Sequence, residues 1–227
     1  MNRSLAVRAA LALIAAAGLA PAQSVDRLLA RLDQAAATFK GAKADMRRTS
    51  YTASIRVTEE ESGSTVIRRA GPGKLEFRID MAGANANTWV VRDQSAEHYL
   101  PAIDQVEIYD IKKYRDLAQT LLVLGFGMSG RELAASYTIS NPRSDTVAGR
   151  AATAVDLVPK SQEVMEKLHL KKVELWVTDD TTVPAREKFT FSDGNTWTVE
   201  YSNVQMNPKL PASALDLPKG AKRVKMQ

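Results

Sequence analysis

The chain has 227 residues, of which 44% are hydrophobic and 25% charged, and a formal charge of +5. That length and balance describe an ordinary globular protein of one large domain or two small ones. The positive charge is mild and evenly spread, so no nucleic-acid partner is expected, and the lack of any cysteine excludes disulfides, thiol catalysis and zinc–thiolate sites.

The N-terminus reads as a secretory signal. Arg3 and Arg8 form a basic region, residues 9–20 a short apolar core, and Ala20-Pro21-Ala22 places small residues at the cleavage positions. A lasting membrane span needs ~20 apolar residues, more than this run offers. Residues 1–22 are therefore expected to be a cleaved signal peptide and residues 23–227 a single domain. With no cysteine for lipid attachment, the mature protein is expected to be soluble in the periplasm, with no permanent membrane anchor.

The spacing of Val25, Leu28, Leu29, Leu32, Ala36 and Phe39 predicts an amphipathic helix over 24–39. Ser24 can cap its first turn and Gly41 can end it. Strands follow. Residues 46–58 form a long polar strand, 59–64 a loop, and 65–70 a return strand broken at Gly71-Pro72-Gly73. Residues 74–81 alternate cleanly, with Leu75, Phe77, Ile79 and Met81 opposite Glu76, Arg78 and Asp80. Three short strands are read at 88–92, 96–100 and 105–109.

The period changes after Asp110. Leu117, Leu121, Leu122 and Leu124 predict a helix over 114–126, stopped by Gly125 and Gly127. Ser129 and Glu132 have the spacing of a capping box, so a second short helix is expected at 131–136. Strands resume at 137–140 and 151–158, separated by Pro142 and Gly149. Residues 159–166 are a polar connection with a short helical tendency.

Three strands then form a meander over 168–206. Val173, Leu175 and Val177 share one face of the first. Phe189 and Phe191 share one face of the second, opposite Arg186, Lys188 and Thr190. Trp197, Val199 and Tyr201 share one face of the third, after a turn at 192–195. The Pro- and Lys-rich tail, 207–227, is expected to lie extended on the surface. The fold class is mainly β with α: about eleven antiparallel strands, one N-terminal helix and one helical insertion. Two short helices cannot fill the concavity of so large a curved sheet, which points to an enclosed apolar cavity.

Catalytic chemistry is not legible. His98 and His169 lack partners at metal-ligand spacing, and no nucleophile elbow, dinucleotide fingerprint or phosphate loop occurs. No enzyme activity, cofactor or metal is expected. The candidate binding surface is apolar: Leu75, Phe77, Ile79, Met81, Trp89, Val91, Phe189, Phe191, Trp197, Val199 and Tyr201. A packed core is the competing reading of the same residues.

In order along the chain, several segments carry a family resemblance. They are Thr38-Phe39-Lys40-Gly41, Gly71-Pro72-Gly73-Lys74-Leu75-Glu76-Phe77-Arg78, Val90-Val91-Arg92-Asp93-Gln94 with Tyr99-Leu100-Pro101-Ala102, Leu157-Val158-Pro159-Lys160, and Asn207-Pro208 with Leu217-Pro218-Lys219-Gly220-Ala221. Together they resemble the LolA/LolB-like family of periplasmic lipoprotein carriers. The resemblance implies an unclosed antiparallel half-barrel capped by helices, with an apolar cavity for acyl chains and no metal. It also implies an inner-membrane exporter as donor and an outer-membrane acceptor. The family's receptor needs an N-terminal cysteine, so this chain resembles the soluble carrier.

Two positions depart from the family pattern. Gly71 stands where the carrier has a lid-holding arginine, with Arg68, Arg69 and Lys74 nearby as candidate substitutes. Gln94 stands where the family usually has glycine. The helical lid is placed at Leu117, Leu121, Leu122, Leu124 and Phe126, swinging between Gly125, Gly127 and Gly130. Two other readings stay open. LolA-like domains also occur in regulators that sense envelope lipids through a protein partner, and a structural envelope protein would have a solid core.

Overall fold

Period-two alternation becomes one twelve-stranded sheet in the structure, a computed structural model that describes residues 24–71, 73–112 and 124–226. The strands are β1 (Gly41–Thr52), β2 (Val57–Gly71), β3 (Lys74–Met81), β4 (Asn87–Arg92), β5 (Ser95–Leu100), β6 (Gln105–Asp110), β7 (Tyr137–Val147), β8 (Arg150–Pro159), β9 (Leu170–Thr178), β10 (Pro184–Phe191), β11 (Thr196–Met206) and β12 (Lys222–Lys225). Their order is β12-β6-β5-β4-β3-β2-β1-β11-β10-β9-β8-β7. Neighbours are antiparallel except β12, which pairs parallel with β6. β12 and β7 do not pair with each other, so the sheet is an unclosed half-barrel.

Among the described residues there are three α-helices: α1 (Val25–Thr38), α2 (Gly130–Ser136) and α3 (Gln162–Lys167). Ser24 caps α1 by accepting from the Arg27 amide. The helix ends because Phe39 turns to an extended backbone; Gly41 is already the first residue of β1, not a helix stop. A Cβ on Gly41 would lie 2.6 Å from the Ile67 carbonyl oxygen. The close β1–β2 approach is what requires glycine there. The capping box of α2 forms as read, with Ser129 and Glu132 bonding each other's amides.

Three further expectations need correction. Residues 59–64 are not a loop but the first half of β2; the hairpin turns at residues 53–56 instead. This polar stretch pairs with β1, and Arg48 bonds Glu61 across the two strands. β7 passes through Pro142 with a register shift between Ser140 and Arg143. An edge strand tolerates a proline that cannot donate to the ladder. The tail does not lie loose: Leu215 and Leu217 are buried against Val90 and Val106, on the face away from α1, and β12 is the twelfth strand. The expected helix over 114–126 falls largely on residues outside those described, as does the signal segment. Residues 124–129 run as turns and irregular chain into α2.

The core lies on the concave face. Leu28 and Leu32 of α1, Leu133 of α2 and Tyr137 pack on Val155, Leu157, Val173, Leu175, Val177 and Phe189. Full burial of each aliphatic side chain stabilises the fold by about 1.5–3 kcal/mol. A second cluster joins Phe39, Ala42, Ile67, Phe77, Val91 and Phe126. Arg31 fastens α1 to the end of β9, 2.8 Å from Asp179 and 3.2 Å from the Thr178 carbonyl. The convex face also carries ion pairs, such as Arg186 with Glu200 at 2.6 Å and Arg143 with Asp156 at 2.8 Å. Among the described residues no helix is long and apolar enough to cross a membrane.

Candidate functional site: an apolar cavity inside the curved sheet

Alternation on six strands aims side chains at one partly open space. Met46 and Arg48 reach it from β1, Ile79 and Met81 from β3, Asn87 and Trp89 from β4, and His98 from β5; Glu187 and Phe189 reach it from β10, and Trp197, Val199 and Tyr201 from β11. Four strands separate β4 from β10 in the sheet order. Only strong curvature lets Trp89 and Phe189 line the same cavity. Its volume is about 460 Å³, within the ~300–1,000 Å³ of small-molecule sites. Among the described residues no group of three or more His, Asp or Glu side chains could hold a metal ion.

Seven of the apolar residues read from sequence meet here: Ile79, Met81, Trp89, Phe189, Trp197, Val199 and Tyr201. The other four stand beside the cavity. Phe77 and Val91 are buried in the cluster around Phe39 and Phe126, with Leu75 packed against it. Phe191 lies behind Trp197, edge-on with ring centroids 4.8 Å apart. Trp197 is 40% exposed and marks the rim.

Five lining residues were not among the sequence candidates. Met46 lies in a strand whose polar composition hid its inward face. His98 stacks on Trp89 with centroids 4.0 Å apart and planes 9° from parallel. Arg48 lies over the Trp197 ring, 5.8 Å from its centroid. Asn87 opens β4. Glu187 is the unexpected one: it shares the concave face of β10 with Phe189 and Phe191, and is 1% exposed. The signal was present in the alternation itself, since Glu187 is two residues before Phe189.

Burial holds the Glu187 carboxyl well above the usual carboxylate range, against the smaller downward pull of the Tyr201 hydroxyl. Tyr201 is pushed up in turn, first by burial and then by Glu187. The Tyr201 hydroxyl donates to Glu187 Oε2 at 3.4 Å. Glu187 Oε1 is buried and has no hydrogen-bond partner among the described residues.

The segment expected to be the lid is described from Leu124 onward. Leu124 and Phe126 are both buried, the first in the core under α1 and the second in the cluster with Phe39. Gly127 has φ +63°, and a Cβ there would lie 2.3 Å from the Phe39 ring. Arg69 ties this turn down. Its Nε donates to the Phe39 carbonyl at 3.0 Å and its Nη2 to the Gly127 carbonyl at 2.7 Å. Of the other basic candidates, Arg68 is turned to Glu76 at 2.6 Å, and Lys74 is exposed at the start of β3. Leu117, Leu121 and Leu122 lie outside the described residues.

No protein-family model matches the sequence, and no curated protein does. Solved structures do match. An uncharacterised conserved protein from Thermus thermophilus is similar with a TM-score of 0.58 at 15% identity, over 90% of this chain and 100% of that one. Lipoprotein LppX from Mycobacterium tuberculosis is similar with a TM-score of 0.50 at 13% identity, over 85% and 100%. The chain shares the fold of these two structures. MucB is similar with a TM-score of 0.52 at 15% identity; 87% of this chain matches 64% of MucB. Identities this low establish shared architecture, and the function has to be argued from the site.

Proposed function

We propose that this protein is a periplasmic carrier that shelters an acyl chain of a lipid or lipoprotein and delivers it towards the outer membrane. The observation that carries the reading is the cavity between the facing halves of the sheet, about 460 Å³ and walled by Ile79, Met81, Trp89, Phe189 and Val199. At ~30 Å³ for each water-sized group, such a space takes about fifteen methylenes, one acyl chain. Each buried methylene is worth about 0.8 kcal/mol, so a ~16-carbon chain needs on the order of 12 kcal/mol of apolar shelter to leave a membrane. An apolar cavity inside the sheet supplies shelter of that kind.

A carrier must also release its cargo. In this reading the turn at 125–130 is the hinge of a cover that includes Leu117, Leu121 and Leu122, and Arg69 is the residue that holds it. The carrier acts without catalysis. An inner-membrane exporter would load it and an outer-membrane acceptor would unload it. The test is native mass spectrometry of the protein purified from a periplasm, with organic extraction of what is bound. Acyl lipid or lipopeptide at about one per chain is the expected result. An empty protein that takes up no fluorescent acyl probe would sink the reading and leave a solid-core envelope protein.

The likeness to MucB favours a second reading, an envelope sensor that acts through a protein partner. MucB has been crystallised in complex with MucA. Here the same cavity would sense a lipid rather than move it. Transfer of bound acyl probe between two populations of vesicles separates the two, because a carrier accelerates it and a sensor does not.

A further inference from the structure

Among the described residues, one side chain in the cavity wall has a polar atom with nothing to bond. Buried polar atoms in native proteins nearly always have partners, so an orphan in the wall of a binding space asks for a ligand. Glu187 is 1% exposed and its Oε1 has none. The strand neighbours of Glu187 are Leu175 and Val199, which offer no polar side chain.

The charged and titratable groups around the cavity are engaged elsewhere. Arg48 bonds Glu61 through Nε at 3.0 Å. His98 stacks on Trp89 and sets its Nδ1 3.5 Å from Glu107. Tyr201 gives its hydroxyl to Oε2. Among the described residues Glu187 therefore has no counter-cation, and burial favours its neutral, protonated form. With Oε2 accepting from Tyr201, the carboxyl proton sits best on Oε1, where a carbonyl in the cavity would accept it.

We propose that Glu187 is the polar recognition point of the cavity, and that it selects ligands carrying an uncharged ester or amide carbonyl at the head of an acyl chain. This rests on the reading of the cavity as an acyl-chain site and names the head chemistry that reading leaves open. A bare hydrocarbon would leave Oε1 unbonded. A fatty-acid anion would bring a buried charge to a place where the described residues offer no free cation, which is costly. An ester or amide oxygen satisfies the orphan with no charge brought in.

The test uses tail-brominated probes of one chain length in four forms: methyl ester, N-methyl amide, free acid and plain hydrocarbon. Bromine quenches the fluorescence of Trp89 and Trp197, which line the cavity. Trp176 lies on the opposite face between Arg143 and Arg186, and serves as the unaffected emitter. The protein is expected to prefer ester or amide over hydrocarbon by a factor on the order of ten, the scale of one hydrogen bond. Glu187→Leu should abolish that ratio while still binding hydrocarbon, and Glu187→Gln, which keeps a donor, should retain it. Comparing ratios between variants cancels each probe's own solubility. A preference for ester would assign a glycerolipid-type head, and a preference for amide an N-acylated peptide. An ester-to-hydrocarbon ratio unchanged in Glu187→Leu overturns the proposal alone. Failure of every probe to quench overturns the acyl-chain reading with it.

Discussion

The Phe126 ring meets Tyr201 edge-on, with centroids 5.0 Å apart and planes at 89°. This contact joins the last residue of the expected lid to β11, a strand of the cavity wall. Phe126 is 1% exposed and packs with Phe39, Phe77 and Val91. Phe126→Ala should therefore cost about 3–5 kcal/mol, the range for a buried phenylalanine. Urea denaturation measures it. A loss near zero would mean that the ring only covers the cavity and holds nothing in place.

Arg69 should matter more than its neighbour Arg68. Arg69 bonds two carbonyls, those of Phe39 and Gly127, and lies 5.5 Å from the centroid of the Phe39 ring. Arg68 makes a cross-strand pair with Glu76 that is partly open to water, and such pairs contribute about 0–1 kcal/mol. Arg69→Ala is expected to destabilise by about 1–3 kcal/mol, because carbonyls lose charged donors. Amide exchange at 125–130 should rise while exchange in β7 and β8 stays as it was. Equal exchange at both places would remove Arg69 from the role of holding the cover.

What the sequence disclosed, and what it hid, follows from which faces are wet. α1 and β3 were legible because each has one apolar and one polar side, so Leu28 and Leu32, or Phe77 and Ile79, declare their facing. The first half of β2 was hidden because it is polar on both sides: residues 57–60 are exposed, and the stretch is held by the ladder to β1 and by Arg48 on Glu61. Period-two reasoning has no signal where neither face is buried. Pro142 looked like a break because a central strand would not tolerate it, and strand order cannot be read from one chain. In the cavity, the aromatic residues announced themselves. Glu187 did not, since a charged residue beside Arg186 and Lys188 reads as part of the wet face. Which of the apolar residues reach the cavity, and which sit in the cluster beside it, depends on the curvature of the whole sheet.

The tail gives a direct check on one misread segment. Leu215 is fully buried with Val90, Val106 and Leu217, on the face of the sheet away from α1. It reaches that place through a short 3₁₀ turn at Ala212–Leu215. Leu215→Ala should cost about 2–5 kcal/mol, as core leucines do. Alanine at the exposed Lys222 of β12 should cost little. A surface-like effect at Leu215, under about 0.5 kcal/mol, would return the tail to the loose extension expected from its composition.

Glu187 sets a pH dependence whose sign can be worked out. Its carboxyl titrates well above the usual range in the folded protein because burial disfavours the charge. In the unfolded chain it titrates normally. Between those two values the folded state holds more protons, so stability falls as pH rises from the ordinary carboxyl range to the folded value, and levels off beyond it. Glutamine does not titrate. Glu187→Gln should therefore be close to the natural protein in stability at acidic pH and gain on it steadily towards neutrality. The other groups facing the cavity are Tyr201, Arg48 and His98; all are present in both proteins and drop out of the difference. So does Glu200 on the convex face, which the hydrogen bond from Arg47 holds below its ordinary range and which weakens both proteins alike as pH falls. Denaturant midpoints of the two proteins across the range from acidic to neutral pH measure the gap. A gap that stays constant with pH would mean that Glu187 ionises normally in the folded protein, and that water reaches the carboxyl in the cavity wall.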